Sequence, residues 1–318
     1  MKSNLKKVLK KILKPMFKIF DPMQIVNVNG HSYIGDMFGL NFKDYMYENN
    51  MKEIQQKLEK DLDEESIEII RRKIEIFKNF PLWNTVYSKN IRSIDKNIIY
   101  NGEEIKQAKK FIEEIPKLKS KYHLKTYIPE VVYYHHGLKL VPEKVLQYIE
   151  NKIFLDCGAS YGDSATIFIK DYSPSLVKSF EMTDSPTIAQ KEYITTLKDN
   201  GIVNKYEFIS KGVTDNCDNV LGCEMTTIDN YLSTETVGLI KMDIEGAAPF
   251  AINGAVETIK RDRPVLLIAC YHTPKEFFEI KPFLESLDLN YKFMFRNLNL
   301  IDNFEHETTL ICVPREVF

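Results

Sequence analysis

The sequence predicts an α/β fold, with a mostly parallel sheet over residues 126–318 and a mostly helical region over residues 1–125. In the second half, short apolar runs alternate with stretches of helical periodicity. This alternation is typical of a parallel sheet that is covered by helices on both faces. The last two apolar runs are separated by a loop long enough for an antiparallel hairpin at the sheet edge.

Seven apolar runs are predicted as the strands of this sheet. In chain order they are IFLD (153–156), LVKSFE (176–181), YEFIS (206–210), GLIKMD (238–243), VLLIA (265–269), YKFMFR (291–296) and TTLICV (308–313). Ligands of such sheets bind in the crevice outside the carboxyl ends of the strands. We therefore expect the functional residues to follow these runs.

The composition is that of a globular protein with a sizeable core. The chain has 318 residues, which indicates about two domains, and 44% of them are hydrophobic. Charged residues reach 28% but leave a net charge of −2, which argues against nucleic acid as the main partner. The five cysteines form no C-x-x-C pair, so we expect free thiols in a reducing, cytoplasmic compartment and no zinc site. No apolar run reaches 18 residues, and no transmembrane helix is expected.

The first 20 residues form a basic amphipathic segment. They contain seven lysines and no acid, and their apolar residues recur at helical spacing. One interpretation is a helix that lies in the membrane interface, which predicts peripheral contact with the inner face of the cell membrane. The other is a helix whose apolar stripe packs on the helical region or on a partner subunit.

Further helices are expected in the region that follows. Residues 51–79 are strongly charged with Ile and Leu at helical spacing, and the acids at 63–65 favour the start of a second helix. Residues 103–121 are predicted as another helix, disturbed by Pro116. Residues 41–50 are expected to form a loop or short helix, and residues 91–100 to include a short strand or loop.

The segment after the first predicted strand, DCGASYGDS (156–164), is typical of a ligand-binding turn, although a purely structural turn is the alternative. Gly158 and Gly162 permit a tight turn and a close approach of a ligand to the backbone. Their spacing differs from the G-x-G-x-x-G of dinucleotide sites, and Asp156 would repel a pyrophosphate. An acid there suits a ligand with no phosphate and a cationic amino acid end, such as S-adenosylmethionine. The candidate cofactor-binding residues of this segment are Asp156, Gly158, Ala159, Ser160, Gly162, Asp163 and Ser164.

Acids at the ends of the second and third strands extend this candidate cofactor site. Glu181 ends the second strand and is placed to accept hydrogen bonds from ribose hydroxyls, with a solvent-facing role as the alternative. Asp215 follows the third strand, where it can reach an adenine amino group or form a turn.

The fourth and fifth strands end in the candidate catalytic residues. Asp243 and Glu245 are two positions apart, so both point to one side if the chain stays extended, and Asp243 is also a candidate cofactor contact. His272 follows the fifth strand and, near its usual pKa, is suited to take a proton from a hydroxyl. His135 and His136 precede the first strand and can cap the same site. The alternatives are a salt-bridged strand end and structural histidines.

Together these strings resemble the FkbM family of methyltransferases, from about residue 132 to residue 313. The matching strings are LDCGASYGDSA (155–165), SFE (179–181), TTIDNY (226–231), LIKMDIEGA (239–247), NGA (253–255) and RPVLLIACYH (263–272). The resemblance implies a class I, Rossmann-like methyltransferase fold, S-adenosylmethionine as cofactor, and O-methylation of a sugar or another small-molecule hydroxyl. The string YHHGLKLVP (134–142) resembles a subgroup linked to bacterial surface glycans, such as capsule or lipopolysaccharide. Where the family usually has an acid after EGA, this chain has Ala248, so any role of that acid is in doubt here.

The predicted reaction is direct methyl transfer to a hydroxyl. The sulfonium activates the methyl group, so the protein has to align the hydroxyl and remove its proton. We assign His272 as general base, and Asp243 or Glu245 as the residue that orients the substrate or the base. The rival is a divalent cation held by Asp243 and Glu245, for which the sequence offers no evident third ligand. A non-catalytic glycan- or protein-binding module that retains the fold is the alternative from another class.

Overall fold

The computed structural model describes residues 25–28, 31–34, 37–78, 102–232, 234–298 and 308–318. The strands are β1 (Ile25–Val28), β2 (His31–Ile34), β3 (Ile153–Cys157), β4 (Leu176–Phe180), β5 (Tyr206–Ile209), β6 (Gly212–Val213), β7 (Met225–Thr226), β8 (Val237–Met242), β9 (Val265–Ala269), β10 (Tyr291–Asn297) and β11 (Thr308–Pro314). The α-helices are α1 (Met37–Glu48), α2 (Met51–Glu59), α3 (Glu64–Lys78), α4 (Gly102–Lys121), α5 (Pro129–Val132), α6 (Glu143–Ile149), α7 (Asp163–Asp171), α8 (Pro186–Asp199), α9 (Ile228–Tyr231), α10 (Ala248–Asn253), α11 (Val256–Asp262) and α12 (Pro274–Ser286).

Seven of the strands form the central sheet, in the order β10-β11-β9-β8-β3-β4-β5. Strands β5, β4, β3, β8 and β9 pair in parallel, whereas β11 is antiparallel to both β9 and β10. The predicted parallel sheet with an antiparallel hairpin at its edge is confirmed. Each predicted strand is present, with bounds within one residue of those expected.

The sheet is buried on both faces, since successive residues of each strand point to opposite sides and each side has its own apolar core. Phe154 and Leu239 belong to the core on one face, and their chain neighbours Leu155 and Ile240 belong to the core on the other. This double burial explains why the strands appear in the sequence as continuous apolar runs rather than alternating ones. All five cysteines are free thiols, as predicted, and four of them are buried.

The order of the strands reverses at β3, and this reversal places the site. From β3 the chain continues to β4 and β5 on one side, and it then returns to β8 on the other side of β3. The loops that leave β3 and β8 therefore diverge and open a crevice at the carboxyl ends of these strands. Open α/β sheets bind their ligands at such a point.

The N-terminal region is helical, as predicted, with one additional hairpin. The charged stretch 51–79 forms α2 and α3, residues 41–50 lie largely within α1, and α4 runs through Pro116. The antiparallel pair of β1 and β2 was not predicted. The basic segment 1–20 and the segment 91–100 lie outside the described residues. In the part of the chain that the structure describes, no helix is both long and apolar enough to cross a membrane.

Helices α1 to α3 share the core of the sheet: α3 packs on β10, and α1 and α2 pack on α12. Phe42 of α1 stacks on Phe77 of α3, with ring centroids 4.1 Å apart, and both belong to the cluster that contains Phe277 of α12. The apolar side of α3 is thus covered by β10, and that of α1 by α12. The division of the chain into domains at residue 126 stays a prediction.

Asp63 joins this helical layer to the edge of the sheet. It precedes α3 and accepts a 2.8 Å hydrogen bond from the backbone N–H of Ser66, as an N-cap residue does. Both of its carboxylate oxygens also receive the guanidinium of Arg296 in β10, at 3.1 and 2.8 Å. Burial alone would raise the pKa of Asp63, but the hydrogen bonds from Arg296 and Ser66 outweigh it and lower that pKa to about 2.

We expect Asp63→Asn to lower the free energy of unfolding by about 1–2 kcal/mol at neutral pH. The folded-state pKa of Asp63 lies below its ordinary value of 3.8, so its stabilisation is full above about pH 4 and is lost as the pH falls through about 2. Urea unfolding at pH 7 and at pH 2 to 3 measures this, with the exposed Asp61→Asn as control. A loss of the same size at both pH values would contradict the assignment.

Candidate active site

The crevice at the carboxyl ends of β3, β4, β8 and β9 collects most of the predicted site residues. The turn after β3 forms one wall, and Glu181, the first residue after β4, lies beside it. Asp243 directly follows β8, and His272 follows β9 by three positions. The parallel strands therefore bring to one edge side chains that are far apart in the sequence.

The turn after β3 is held tightly against the end of β8. Gly158 and Gly162 have φ angles of +85° and +82°, which favour glycine. A Cβ atom at position 158 would lie 1.8 Å from the carbonyl oxygen of Asp243. We expected glycine there to leave room for a ligand, but the atom it makes room for is the backbone of Asp243. In the same turn Ala159 is buried and Ser160 is exposed.

Asp156 lies inside the sheet, where it faces Lys241 rather than the open crevice. The parallel register of β3 and β8 sets the two residues side by side. Their charged atoms are 3.2 Å apart, and both side chains are almost fully buried. Lys241 Nζ also donates a 2.8 Å hydrogen bond to the carbonyl of Gly158. Burial alone would lower the pKa of Lys241, but the nearby carboxylates, with Asp156 contributing most, together outweigh burial and raise that pKa. The expected contact between Asp156 and a cationic ligand is thus replaced by an internal ion pair.

Glu181 binds the backbone of the turn after β3. Its Oε2 accepts a 2.7 Å hydrogen bond from the N–H of Ser160, while the neighbouring N–H of Ala159 donates to the carbonyl of Phe180. Burial raises the pKa of Glu181, while the hydrogen bond from Ser160 partly lowers it. A carboxylate has about four acceptor sites, so the bond from Ser160 leaves capacity for further hydroxyl groups.

Asp243, Glu245 and His272 converge on one point of the crevice. His272 Nε2 lies 3.4 Å from Asp243 Oδ1 and 3.5 Å from Glu245 Oε2. The extended chain that we expected between the two acids is not present, because β8 ends at Met242 and Glu245 has a left-handed φ of +53°. The two carboxylates nevertheless lie on the same side, because the turn at Glu245 directs both of them toward His272. Such strain in a non-glycine residue is typical of functional sites.

Glu276, which the sequence analysis did not single out, completes this cluster. It is fully buried in the first turn of α12, and its Oε2 lies 3.3 Å from His272 Nδ1. It also accepts hydrogen bonds from the backbone N–H groups of His272 and Thr273, each 3.2 Å long. Thr273 and Glu276 form a capping box, which turns the glutamate back toward the residues before the helix. The string T-P-K-E was the signal that could have located it.

The carboxylates change the expected titration of His272. Burial alone would lower its pKa, but the hydrogen bond with Glu276 and the charges of Asp243 and Glu245 outweigh burial, so the pKa of His272 is raised. The expectation of a histidine near its usual pKa is therefore wrong. Burial likewise raises the pKa of Asp243, with Lys241 acting in the opposite direction.

His136 contacts the first turn of α7 from inside the protein. Its Nε2 lies 2.9 Å from Ser164 Oγ and its Nδ1 lies 3.1 Å from Glu130 Oε1, and all three side chains are buried. His135 is also buried, beside the hydroxyl of Tyr172 at 2.7 Å, and burial lowers its pKa to about 3. His136, which we expected to cap the site, thus contacts Ser164 at the end of the turn after β3. Its second contact, with Glu130, was not predicted.

The remaining candidates lie at the margin of the crevice. Asp163 begins α7, bonds to the N–H of Ser164, and has its pKa raised by burial. Asp215 is exposed after the short strand β6, where its carboxylate accepts a 3.0 Å hydrogen bond from the side chain of Asn216. Ala248, the position that departs from the family pattern, is buried at the start of α10.

Strand order and antiparallel edge together define the fold class. The predicted class I, Rossmann-like methyltransferase fold is confirmed. The sequence model of the methyltransferase FkbM domain matches residues 221–293, which confirms the predicted resemblance to that family. The matched segment runs from before β7 into β10 and includes Asp243, Glu245, His272 and Glu276.

Solved methyltransferase structures are similar to this chain at low identity. Methyltransferase FkbM from Methylobacillus flagellatus is 19% identical, with a TM-score of 0.45 over 64% of this chain and 60% of the other, which is less than two thirds of its length. A methyltransferase of Streptococcus mutans in complex with S-adenosylhomocysteine is 17% identical, with a TM-score of 0.39 over 55% and 96%. The O-methyltransferase TomG of Streptomyces achromogenes, in complex with S-adenosylmethionine, is 11% identical, with a TM-score of 0.41 over 68% and 91%. The sequence matched none of the curated proteins with which it was compared.

Proposed function

We propose that the protein transfers the methyl group of S-adenosylmethionine to a hydroxyl group of a sugar in a bacterial surface glycan, such as capsule or lipopolysaccharide. The observation that carries the proposal is the cluster of Asp243, Glu245 and His272 beside the glycine turn, at the reversal point of the sheet. The cluster supplies acceptors for a hydroxyl proton within a methyltransferase fold. The glycan part of the proposal is supported by the string YHHGLKLVP (134–142).

The wall formed by the glycine turn and Glu181 fits S-adenosylmethionine. Glu181 is anchored by the backbone amide of Ser160 and retains acceptor capacity for ribose hydroxyls. The exposed Ser160 and the half-buried Gly158 place backbone at the crevice surface, where a ligand can approach it. The cofactor supplies the methyl group, already activated by the sulfonium charge.

The chain then has two tasks: to align the acceptor and to remove its proton. A neutral His272 that donates its Nδ1 proton to Glu276 presents Nε2 to the crevice, between Asp243 and Glu245. As the hydroxyl oxygen bonds to the methyl carbon, its proton moves to Nε2 and the sulfur leaves with the bonding electrons. Glu245, with 82% of its side chain exposed, is the acid placed to bind other hydroxyls of the acceptor.

Two measurements test this proposal. Calorimetry with S-adenosylmethionine determines whether the cofactor binds, and mass spectrometry of sugar nucleotides and glycan fragments after incubation detects a gain of one methyl group. Failure to bind the cofactor would contradict the proposal that the protein is an enzyme and would favour a non-catalytic binding module with this fold. Binding and transfer to an amine or nitrogen base, but not to a hydroxyl, would overturn the assignment of O-methylation.

Glu181→Ala is expected to weaken S-adenosylmethionine binding by about 1–3 kcal/mol, because charge-assisted hydrogen bonds to the ribose are lost. Calorimetric titration of the variant measures this change. Glu192→Ala is the matched control, since Glu192 is a half-exposed acid of α8 that pairs with Lys125. Unchanged affinity in the Glu181 variant would show that the ribose lies elsewhere.

Residues 1–20 are proposed to tether the enzyme to anionic membranes, where lipid-linked glycans are assembled. Seven lysines can each contribute about 1 kcal/mol near an anionic surface, and an apolar stripe adds to this. We expect the protein to float with anionic liposomes at low salt and not at high salt, and deletion of residues 1–20 to abolish flotation while activity on a soluble acceptor is kept. Loss of folding on deletion would instead assign the segment to internal packing.

A further inference from the structure

The three side chains that converge at the end of β8 have the geometry of a metal site. One donor atom of each, from Asp243, Glu245 and His272, lies within 4.8 Å of the other two. A divalent ion bound about 2.1 Å from two donors at right angles holds those donors about 3 Å apart. The observed separations of 3.4 and 3.5 Å from His272 Nε2 are close to that value. A small contraction would therefore bring all three donors onto one ion.

Glu276 adds the outer contact that histidine ligands of metals usually have. In such sites the ring nitrogen that does not bind the metal donates to a carboxylate, which fixes the ring and makes it a better ligand. Glu276 Oε2 lies 3.3 Å from His272 Nδ1, and both side chains are buried to 98% or more. The packing of α12 thus holds Nε2 toward Asp243 and Glu245.

The charges around His272 also favour the binding of a cation. Three carboxylates, those of Asp243, Glu245 and Glu276, surround one imidazole. Within the described residues, the buried oxygens Asp243 Oδ1 and Glu276 Oε1 accept no hydrogen bond. The buried ammonium of Lys241 is already engaged by Asp156 and by the carbonyl of Gly158. Like charges this close are costly unless a cation offsets them.

We propose that Asp243, Glu245 and His272 bind one divalent cation of the Mg²⁺ or Mn²⁺ type, with Glu276 as the outer carboxylate. Two carboxylates select a hard ion, and the imidazole makes Mn²⁺ the better bound of the two. Three protein ligands leave coordination positions for water and for an acceptor hydroxyl. The exposure of Glu245 shows that those positions open toward the crevice. The third ligand that the sequence did not reveal is His272.

The chemical role of this ion rests on the proposed function. A hydroxyl bound to the ion becomes more acidic, so it can lose its proton to solvent before its oxygen takes the methyl group from the sulfonium. In that mechanism His272 Nε2 is a ligand, and it no longer acts as the proton acceptor. The binding of the ion itself does not depend on the identity of the methyl donor or acceptor.

Electron paramagnetic resonance of Mn²⁺, titrated into the full chain, tests the site directly. We expect one bound ion per chain, displaced by excess Mg²⁺. Glu245→Gln and Asp243→Asn are each expected to raise the Kd for Mn²⁺ at least 10-fold, and Glu276→Gln about 10–100-fold. Glu257→Gln is the matched control, because Glu257 is an exposed acid of α11 whose carboxylate pairs with Lys260. Since Glu245 is also largely exposed, its variant is expected to fold normally.

Parallel calorimetry with S-adenosylmethionine separates this inference from the proposed function. A folded protein that binds the cofactor but not Mn²⁺ would overturn the metal site and leave the methyltransferase proposal standing. A protein that does not bind the cofactor, but whose Mn²⁺ binding is weakened in the Glu245 and Asp243 variants, would support the metal site. The same result would contradict the proposed function. Mn²⁺ binding that neither variant weakens would place the ion elsewhere and overturn the inference.

Discussion

His272→Ala is expected to lower methyl-transfer turnover by about 10²–10⁴-fold and to leave the affinity for S-adenosylmethionine nearly unchanged. His272 lies within 3.5 Å of Asp243, Glu245 and Glu276, so its removal breaks up the cluster that is proposed to receive the acceptor hydroxyl. The proposed cofactor contacts, by contrast, come from the turn after β3 and from Glu181. Steady-state kinetics and calorimetry on the same preparation measure both effects.

The control for this variant is His123→Ala, because His123 is exposed and its Nδ1 lies 2.9 Å from the carbonyl oxygen of Asp199, away from the cluster. Its turnover should match that of the parent protein. Near-parental turnover of His272→Ala would remove His272 from the mechanism. A chelator separates its two roles: inhibition reversed by Mn²⁺ identifies a ligand, and activity unaffected by the chelator identifies a base.

Lys241→Met is expected to lower the free energy of unfolding by about 3–5 kcal/mol. The substitution leaves the fully buried carboxylate of Asp156 without its ammonium partner, which is 3.2 Å away in the parent protein. It also removes the hydrogen bond to the carbonyl of Gly158. Denaturant unfolding followed by circular dichroism measures the loss, with the exposed Lys260→Met as control.

A double variant tests whether the loss comes from the unpaired charge. Asp156→Asn combined with Lys241→Met should recover part of the stability, because the buried carboxylate that was left alone is then neutral. Additive losses in the double variant would show that the two residues stabilise the sheet independently. A Lys241→Met protein as stable as the parent would show that the buried pair contributes little.

The sheet could be predicted from the sequence because its signal is local. Each strand is a short apolar run, and burial on both faces by helices requires such a run. The pairing of Asp156 with Lys241 is not local, since it depends on the register between β3 and β8. Without that register, an acid at the end of a strand was assigned to a ligand.

The sequence predicted where in the fold the candidate site lies, but it did not predict all of the residues that form it. Strand ends located Glu181, Asp243 and His272, because the carboxyl ends of parallel strands meet at one edge. Glu276 was missed because its role depends on a helix cap that turns it back onto His272. Glu130 was missed because it acts through His136, whose buried contacts depend on how the segment before β3 folds.

The contact between Gly158 and Asp243 has a consequence for the geometry of the proposed reaction. No side chain fits at position 158, because its first carbon would overlap the carbonyl of Asp243 at 1.8 Å. The wall that faces the methyl donor and the strand end that faces the acceptor therefore meet backbone to backbone. Methyl transfer depends on near-attack alignment, and a displacement of about 1 Å can cost about 10²-fold in rate. In the proposed reaction the donor-to-acceptor spacing would be set by main-chain atoms, which cannot change rotamer, so the sheet itself would align the reacting groups.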